Sequence, residues 1–297
     1  MSTSSHARGP AGPTGPATPA ELDALLARAR RIRRLAVRMG EVQGQGYVGQ
    51  ALGIADVLAV LYGRLLSLAP ADPAWEGRDR FLLSCGHYAI ALYAALIDAG
   101  VIPEAELESY GSDDSRLPMS GMAQYTPGME ISGGSLGQGL PIAVGMALGL
   151  RHKGSARWVV NLMGDGELDE GSTWEAAQAA AHHGLSRLLA IVDANNMQAD
   201  GPSSEVMRYE PLVAKWEAFG WAVRRVDGND LPAVLQALSE LQALPGPQPR
   251  VLVADTRLGR GVPFLEGRDK AHFIRVEPDE WALALQALDH PQPETAA

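Results

Sequence analysis

The chain carries one cysteine, Cys85, among 297 residues. A single thiol excludes an intramolecular disulfide framework and any cysteine-cluster metal centre, and it fits a reducing cytoplasm. Positive charge is also in short supply: 25 Lys and Arg stand against 35 Asp and Glu, a net charge of −10. That balance argues against nucleic acid or an anionic membrane surface as the main partner. No run approaches the roughly 18 apolar residues expected of a membrane span. Residues 1–19 lack the apolar stretch of a secretion signal, and their Gly, Pro, Ser and Thr content suggests a disordered tail. What is present is 46% hydrophobic residues, ordinary for a packed core, in a chain long enough for one large α/β domain or two small ones.

The informative stretch is 158–201, WVVNLMGDGELDEGSTWEAAQAAAHHGLSRLLAIVDANNMQADG. Trp158 to Met163 has the composition of a short buried strand, broken at Gly164-Asp165-Gly166, where glycines permit a tight turn and leave Asp165 at the strand's end. Ser172 and Glu175 have capping-box spacing, so a helix is expected from near Ser172 through the alanine-rich run to His182. Leu188 to Asp193 is a second apolar strand. A strand, helix and strand in succession give a parallel pair whose carboxyl ends share one edge, the edge where ligands sit in open α/β sheets. Asp165 and Asn195 are therefore expected to converge. A carboxylate, an amide oxygen and a backbone carbonyl just beyond are hard donors, suited to Mg²⁺ or Ca²⁺ rather than zinc, and such an ion completes its shell with phosphate oxygens.

Around this unit the chain alternates. Residues 21–39 form an amphipathic helix, with Leu22, Leu25, Ile32 and Met39 on one side and a largely solvated face of Arg28, Arg30, Arg31, Arg34 and Arg38. GQGYVGQALG (44–53) reads as a glycine-rich loop leading into a helical run from Ile54 to Leu66. Asp79 to Ser84 is a strand ending at Cys85-Gly86-His87; Cys85 reads as a small buried side chain, because no third group orients a Cys-His pair. The polar stretch 110–128 is a loop beside the site. GGSLGQGLPIAVGMALG (133–149) is a turn opening into a helix whose Gly145, Ala147 and Gly149 allow close packing; it lacks the GK[ST] of a phosphate-binding P-loop. Helices at 211–219, 231–244 and 278–288 interleave with strands at 221–226 and 250–256. The alternation implies an α/β fold, a parallel sheet with helices on both faces, over residues 20–290, followed by a tail at 291–297.

Gly164-Asp165-Gly166 followed by Asn195-Asn196 resembles the motif of thiamine-diphosphate enzymes. More narrowly, GDGELDEGSTWEAA, TPGMEISGGSLGQGL and KWEAFGW resemble the amino-terminal, diphosphate-binding half of transketolases, from about Ala36 to Ala287. The resemblance implies a thiamine-diphosphate-binding fold that transfers a two-carbon ketol unit from a ketose to an aldose. It implies Mg²⁺ or Ca²⁺ on Asp165, Asn195 and the Met197 carbonyl, with Gly166 near the diphosphate. Gly134 and Leu136 fall beside the aminopyrimidine ring, where a side chain at Gly134 would collide. His87 and, less closely matched in its neighbours, His272 fall at the cofactor's reactive end, and Glu170 matches a glutamate linking paired sites. Two sugar-contacting histidines of the family are replaced, one by Tyr47 and one by Ser120, which leaves the ketose open; Ser120 or Gln124 are candidate substitutes. The family's activating glutamate lies on a second, pyrimidine-binding domain for which this length leaves no room. A separate partner subunit in an α₂β₂ assembly is therefore expected. Two alternatives stay open, a thiamine-binding subunit of a 2-oxoacid dehydrogenase or decarboxylase and a non-catalytic homologue.

Overall fold

Apolar residues in the strands fall on alternate sides, and two separate cores result. Phe81, Leu83, Val160, Leu162, Leu189, Ile191, Leu252 and Ala254 join one hydrophobic cluster; Leu82, Val159, Leu188, Ala190, Val192, Val251 and Val253 join the other. The side-chain period of two in a strand dictates this division. The computed structural model describes residues 17–268 and 271–290, so most of the expected amino-terminal tail and all of the carboxyl-terminal one lie outside the described residues.

In chain order the elements are α1 (Pro19–Gln43), α2 (Val48–Val60), β1 (Arg80–Leu83), α3 (Ala89–Asp98), α4 (Gly139–His152), β2 (Val159–Gly164), α5 (Gly171–His182) and β3 (Leu188–Ala194). There follow the short ribbon β4 (Met197–Gln198) and β5 (Gly201–Pro202), then α6 (Ser203–Val206), α7 (Leu212–Ala218), β6 (Ala222–Asp227), α8 (Leu231–Ala243), β7 (Arg250–Asp255), α9 (Pro263–Glu266) and α10 (Glu280–Asp289). The main sheet runs β1-β2-β3-β7-β6 with every neighbouring pair parallel. Residues of α1, α2, α3, α8 and α10 belong to the first core, and those of α4, α5 and α7 to the second. The expected α/β architecture, with helices on both faces, is present.

Several local expectations differ. The first helix begins earlier, at Pro19, because Thr18 and Glu21 form a reciprocal capping box: Glu21 N–H donates to Thr18 Oγ1 (3.3 Å) and Thr18 N–H to Glu21 Oε2 (2.8 Å). Arg30 and Arg31 are exposed and Arg28, Arg34 and Arg38 half-buried, so the expected face remains partly solvated, but most of these arginines are ion-paired. Arg28 and Arg31 pair with Asp98 at 2.8 and 3.3 Å, Arg34 pairs with Asp289, and Arg38 pairs with Glu41 and Glu108. Arg33 is buried against Asp56.

The glycine-rich segment 44–53 is mostly helix, since α2 starts at Val48. Gly53 is there for packing: a Cβ would meet the Arg257 carbonyl oxygen at 2.8 Å. By length and composition the helical run from Val48 to Leu65 could cross a membrane, but it includes Gln50, Asp56 and Arg64 and 94% of it is buried in the core. Gly145 and Gly149, expected to allow close packing, lie on the exposed side of α4 with open space around them.

Candidate functional site

The parallel register brings Gly164 of β2 level with Asp193 of β3, so the segments that follow both strands leave the sheet side by side. Ser203 joins the two turns: its Oγ donates to Asp165 Oδ2 at 2.9 Å and its N–H to the Asn196 carbonyl at 3.1 Å. Asp165 and the Asn195-Asn196 pair thus converge at the carboxyl edge. Asp165 is only 2% exposed. Burial, with Asp193 nearby, lifts its pKa to about 7 against the pull of its hydrogen bonds. Asn196 adopts a left-handed φ of 58°, a conformation Asn tolerates better than most residues.

Asn195 is held by groups that the sequence pattern did not single out. Its Nδ2 donates to Tyr88 Oη (2.8 Å) and to Asp193 Oδ2 (2.9 Å), while its Oδ1 accepts from Met197 N–H at 3.0 Å. Tyr88 Oη in turn donates to Asp193 at 2.6 Å, and Thr256 donates to the other oxygen of Asp193. This buried triad fixes which face of the amide presents oxygen. Its signal in the sequence is a lone acid ending an apolar run, LLAIVD, with Ala194 between it and the Asn pair.

The turn after β1 carries His87 into an aromatic group. Tyr47, which precedes α2, lies 4.8 Å from the His87 ring and 5.6 Å from the His272 ring, and the two imidazoles are 5.4 Å apart. His87 and His272 are therefore brought together from opposite ends of the chain. Burial lowers the His87 pKa to about 4, with His272 adding to the effect, and burial lowers His272 as well against a hydrogen bond with the Met197 backbone. Both imidazoles are neutral near pH 7 and available to accept or donate a proton. Phe273 stands 5.0 Å from Tyr47, so Tyr47 is walled by rings rather than ion-paired. Cys85 is fully buried and its thiol is pushed well up by burial, which makes it inert.

Segment 133–139 packs against the His87 turn. Gly86 and Gly133 touch backbone to backbone, since a Cβ on Gly133 would sit 2.3 Å from Gly86 Cα. At Gly134, by contrast, an added Cβ meets nothing within 4 Å. Leu136 is partly buried against the first core. Ser120 donates weakly to the Gly133 carbonyl at 3.4 Å, and both it and Gln124 are exposed.

The expected capping box of Ser172 and Glu175 is absent. The helix is preceded by Glu170, and Ser172 Oγ donates instead to the Gly137 carbonyl at 2.8 Å, 35 residues away in sequence. Glu170 itself is exposed. The most buried acid of the turn is Glu167, which no motif marks, at 1% exposure.

Residues 26–294 match the protein family described as transketolase, thiamine diphosphate binding domain. A transketolase family protein of Sinorhizobium fredii is 65% identical over 262 residues, covering 88% of this chain and 94% of that protein. An apulose-4-phosphate transketolase subunit from Actinobacillus succinogenes is 40% identical over 256 residues, 86% of this chain and 92% of its own length. The crystal structure of transketolase from Campylobacter jejuni superposes with a TM-score of 0.83 at 30% identity over 89% of this chain, which spans 43% of that longer one. By sequence, by fold and by the convergence of its two signature turns, the chain belongs to the transketolase family, in the part that binds thiamine diphosphate.

Proposed function

We propose that this chain is the diphosphate- and metal-binding subunit of a two-component transketolase, working with a separate subunit that carries the pyrimidine-binding domain, in an α₂β₂ assembly within the cytoplasm. The observation that carries the reading is the meeting of Asp165 with the Asn195-Asn196 turn at one buried edge. A relative covered over 92% of its length is named as a subunit, which supports the two-component arrangement.

The residues present fit the group. Open space at Gly134 leaves room for a ring, and among the described residues the buried Gln198 Nε2, beside Gly166, has no hydrogen-bond partner. Gln198 packs beside Gly166, with its Cγ 3.6 Å from where a Cβ of that glycine would stand, so its amide suits a diphosphate oxygen. Asp165, Asn195 Oδ1 and the Met197 carbonyl make an all-oxygen set for Mg²⁺ or Ca²⁺. When bound, thiamine diphosphate supplies the carbon nucleophile that takes a two-carbon ketol unit from a ketose and passes it to an aldose. His87 and His272, neutral and side by side, hold or relay protons at sugar oxygens beside it. Gly134 and Leu136 would lie against the aminopyrimidine, and Glu170, exposed at the edge of the turn, would link to the paired site across the assembly. Tyr47 offers a hydroxyl that does not titrate near neutrality, so it orients substrate without acid-base work.

The test is calorimetric titration of thiamine diphosphate into the complex of this chain with its partner, with Mg²⁺ or with chelator, for the native chain and Asp165→Ala. Metal-dependent binding lost in the variant is expected. A folded native complex that fails to bind cofactor refutes the reading in favour of a non-catalytic homologue.

A further inference from the structure

Glu167 lies beneath the site without lining it. Its Oε1 accepts from Ser84 Oγ at 2.5 Å and from Gly137 N–H at 2.9 Å, and its Oε2 accepts from Gly164 N–H at 3.2 Å. The three donors come from three segments: the end of β1 just before His87, the turn that opens α4, and the glycine that begins the Gly164-Asp165-Gly166 turn. Ser84 Oγ then accepts from Gly139 N–H at 3.0 Å, which ties the α4 turn a second time. The Gly137 peptide is held on both sides, its N–H by Glu167 and its carbonyl by Ser172 Oγ at 2.8 Å. Gly137 takes φ of +71°, and a Cβ there would meet Glu170 Cβ at 2.5 Å, so the turn is pressed against the start of α5.

Donors alone converge on this carboxyl group, and a carboxylate is the side chain that accepts on both oxygens. We infer that Glu167 is a positioning residue: it locks the 133–139 turn, the Gly164-Asp165-Gly166 turn and the His87 turn at fixed spacing, and so sets the width of the cofactor's seat. The inference rests on the proposed cofactor site, but the contacts it invokes belong to this chain alone.

The sheet supplies a matched control at its other edge. Asp79, 4% exposed, accepts from Ser67 N–H and Trp158 N–H, both at 2.8 Å, and so clasps the amino ends of β1 and β2. Glu167→Gln and Asp79→Asn each leave an amide nitrogen facing a backbone N–H, a comparable loss of one buried hydrogen bond. The partner complexes are prepared with each variant, and thermal midpoint, thiamine diphosphate affinity by calorimetry, and amide hydrogen exchange across 133–140 are measured. Expected for Glu167→Gln is at least a tenfold loss of affinity with faster exchange in 133–140. Asp79→Asn, at a similar drop in midpoint, keeps affinity within twofold and leaves that exchange unchanged. Ser84→Ala, which keeps the acid and removes one donor, falls between and serves if Glu167→Gln does not fold.

Equal affinity losses in the two clasp variants, or native exchange across 133–140 in Glu167→Gln, overturn the inference and leave Glu167 a support of the fold only. A native complex without affinity for the cofactor sinks the proposed function; the exchange comparison then still decides whether Glu167 holds the turns together.

Discussion

Adjacent glycines at 133 and 134 separate what the fold needs from what the ligand needs. An alanine at Gly133 places a methyl 2.3 Å from Gly86 Cα and 2.7 Å from Gly86 N, both backbone atoms. Carbon contacts rest at about 3.5–4.0 Å, so the two turns must part by roughly 1 Å or more. Overpacking of that kind costs about 1–3 kcal/mol. In a domain of this size the thermal midpoint then falls by roughly 2–12 °C. Gly134→Ala meets no atom within 4 Å, and its φ lies outside the left-handed region. Its stability is expected to hold or to rise by about 0.4–1 kcal/mol, through a less flexible unfolded chain. If the aminopyrimidine ring of thiamine diphosphate lies against Gly134, that methyl occupies the ring's place, and affinity falls at least tenfold, about 1.4 kcal/mol. Thermal melting of both variants, followed by cofactor titration in the partner complex, reads the two effects apart. Native affinity in Gly134→Ala would refute the placement of the ring, and a native midpoint in Gly133→Ala would show that the backbone contact yields.

Two further outcomes are expected. His87 is buried neutral with its pKa lowered to about 4 from 6.5, so the unfolded chain binds the extra proton and stability falls as pH drops through that window. The loss is about 2 kcal/mol between pH 7.5 and pH 5; urea titrations of the native chain and His87→Gln should differ by that slope, and identical slopes refute it. Arg33→Ala removes the cation facing buried Asp56, which keeps only a hydrogen bond from Asn229 Nδ2 at 3.1 Å among the described residues, and it also removes the donor to the Leu52 carbonyl at 2.9 Å. A loss of about 3–5 kcal/mol in urea unfolding is expected, and a loss below about 1 kcal/mol would show that water replaces the guanidinium.

β3 and β7 are legible because each is a short apolar run closed by an acid, and the two signature turns are legible because glycine and asparagine stand where β2 and β3 stop. Contacts made across the chain are not. Ser172 has the spacing of a local cap, yet the Gly137 carbonyl captures its hydroxyl, and nothing in GSTWEAA announces a partner 35 residues away. The glycines of 44–53 suggest a loop, whereas Gly53 lies inside a helix that passes close to the backbone at Arg257. Glu167 looks like one acid among several in GELDE; its importance lies in Ser84 and Gly137, 83 and 30 residues distant. The arginines of the first helix have the periodicity of a wet face, and only the positions of Asp98, Glu108 and Asp289 show them to be fasteners.

The second helix has a consequence for the chain's birth. All thirteen of its residues are buried in the finished protein, partly under α8, which begins at Leu231. At ribosomal speeds of about 5–20 residues per second, the stretch from Val60 to Leu231 takes roughly ten to thirty-five seconds to emerge. For that interval α2 has only the helices α1 and α3 to cover it, and a chain stalled before α8 leaves part of an apolar helix exposed for chaperones and proteases to meet.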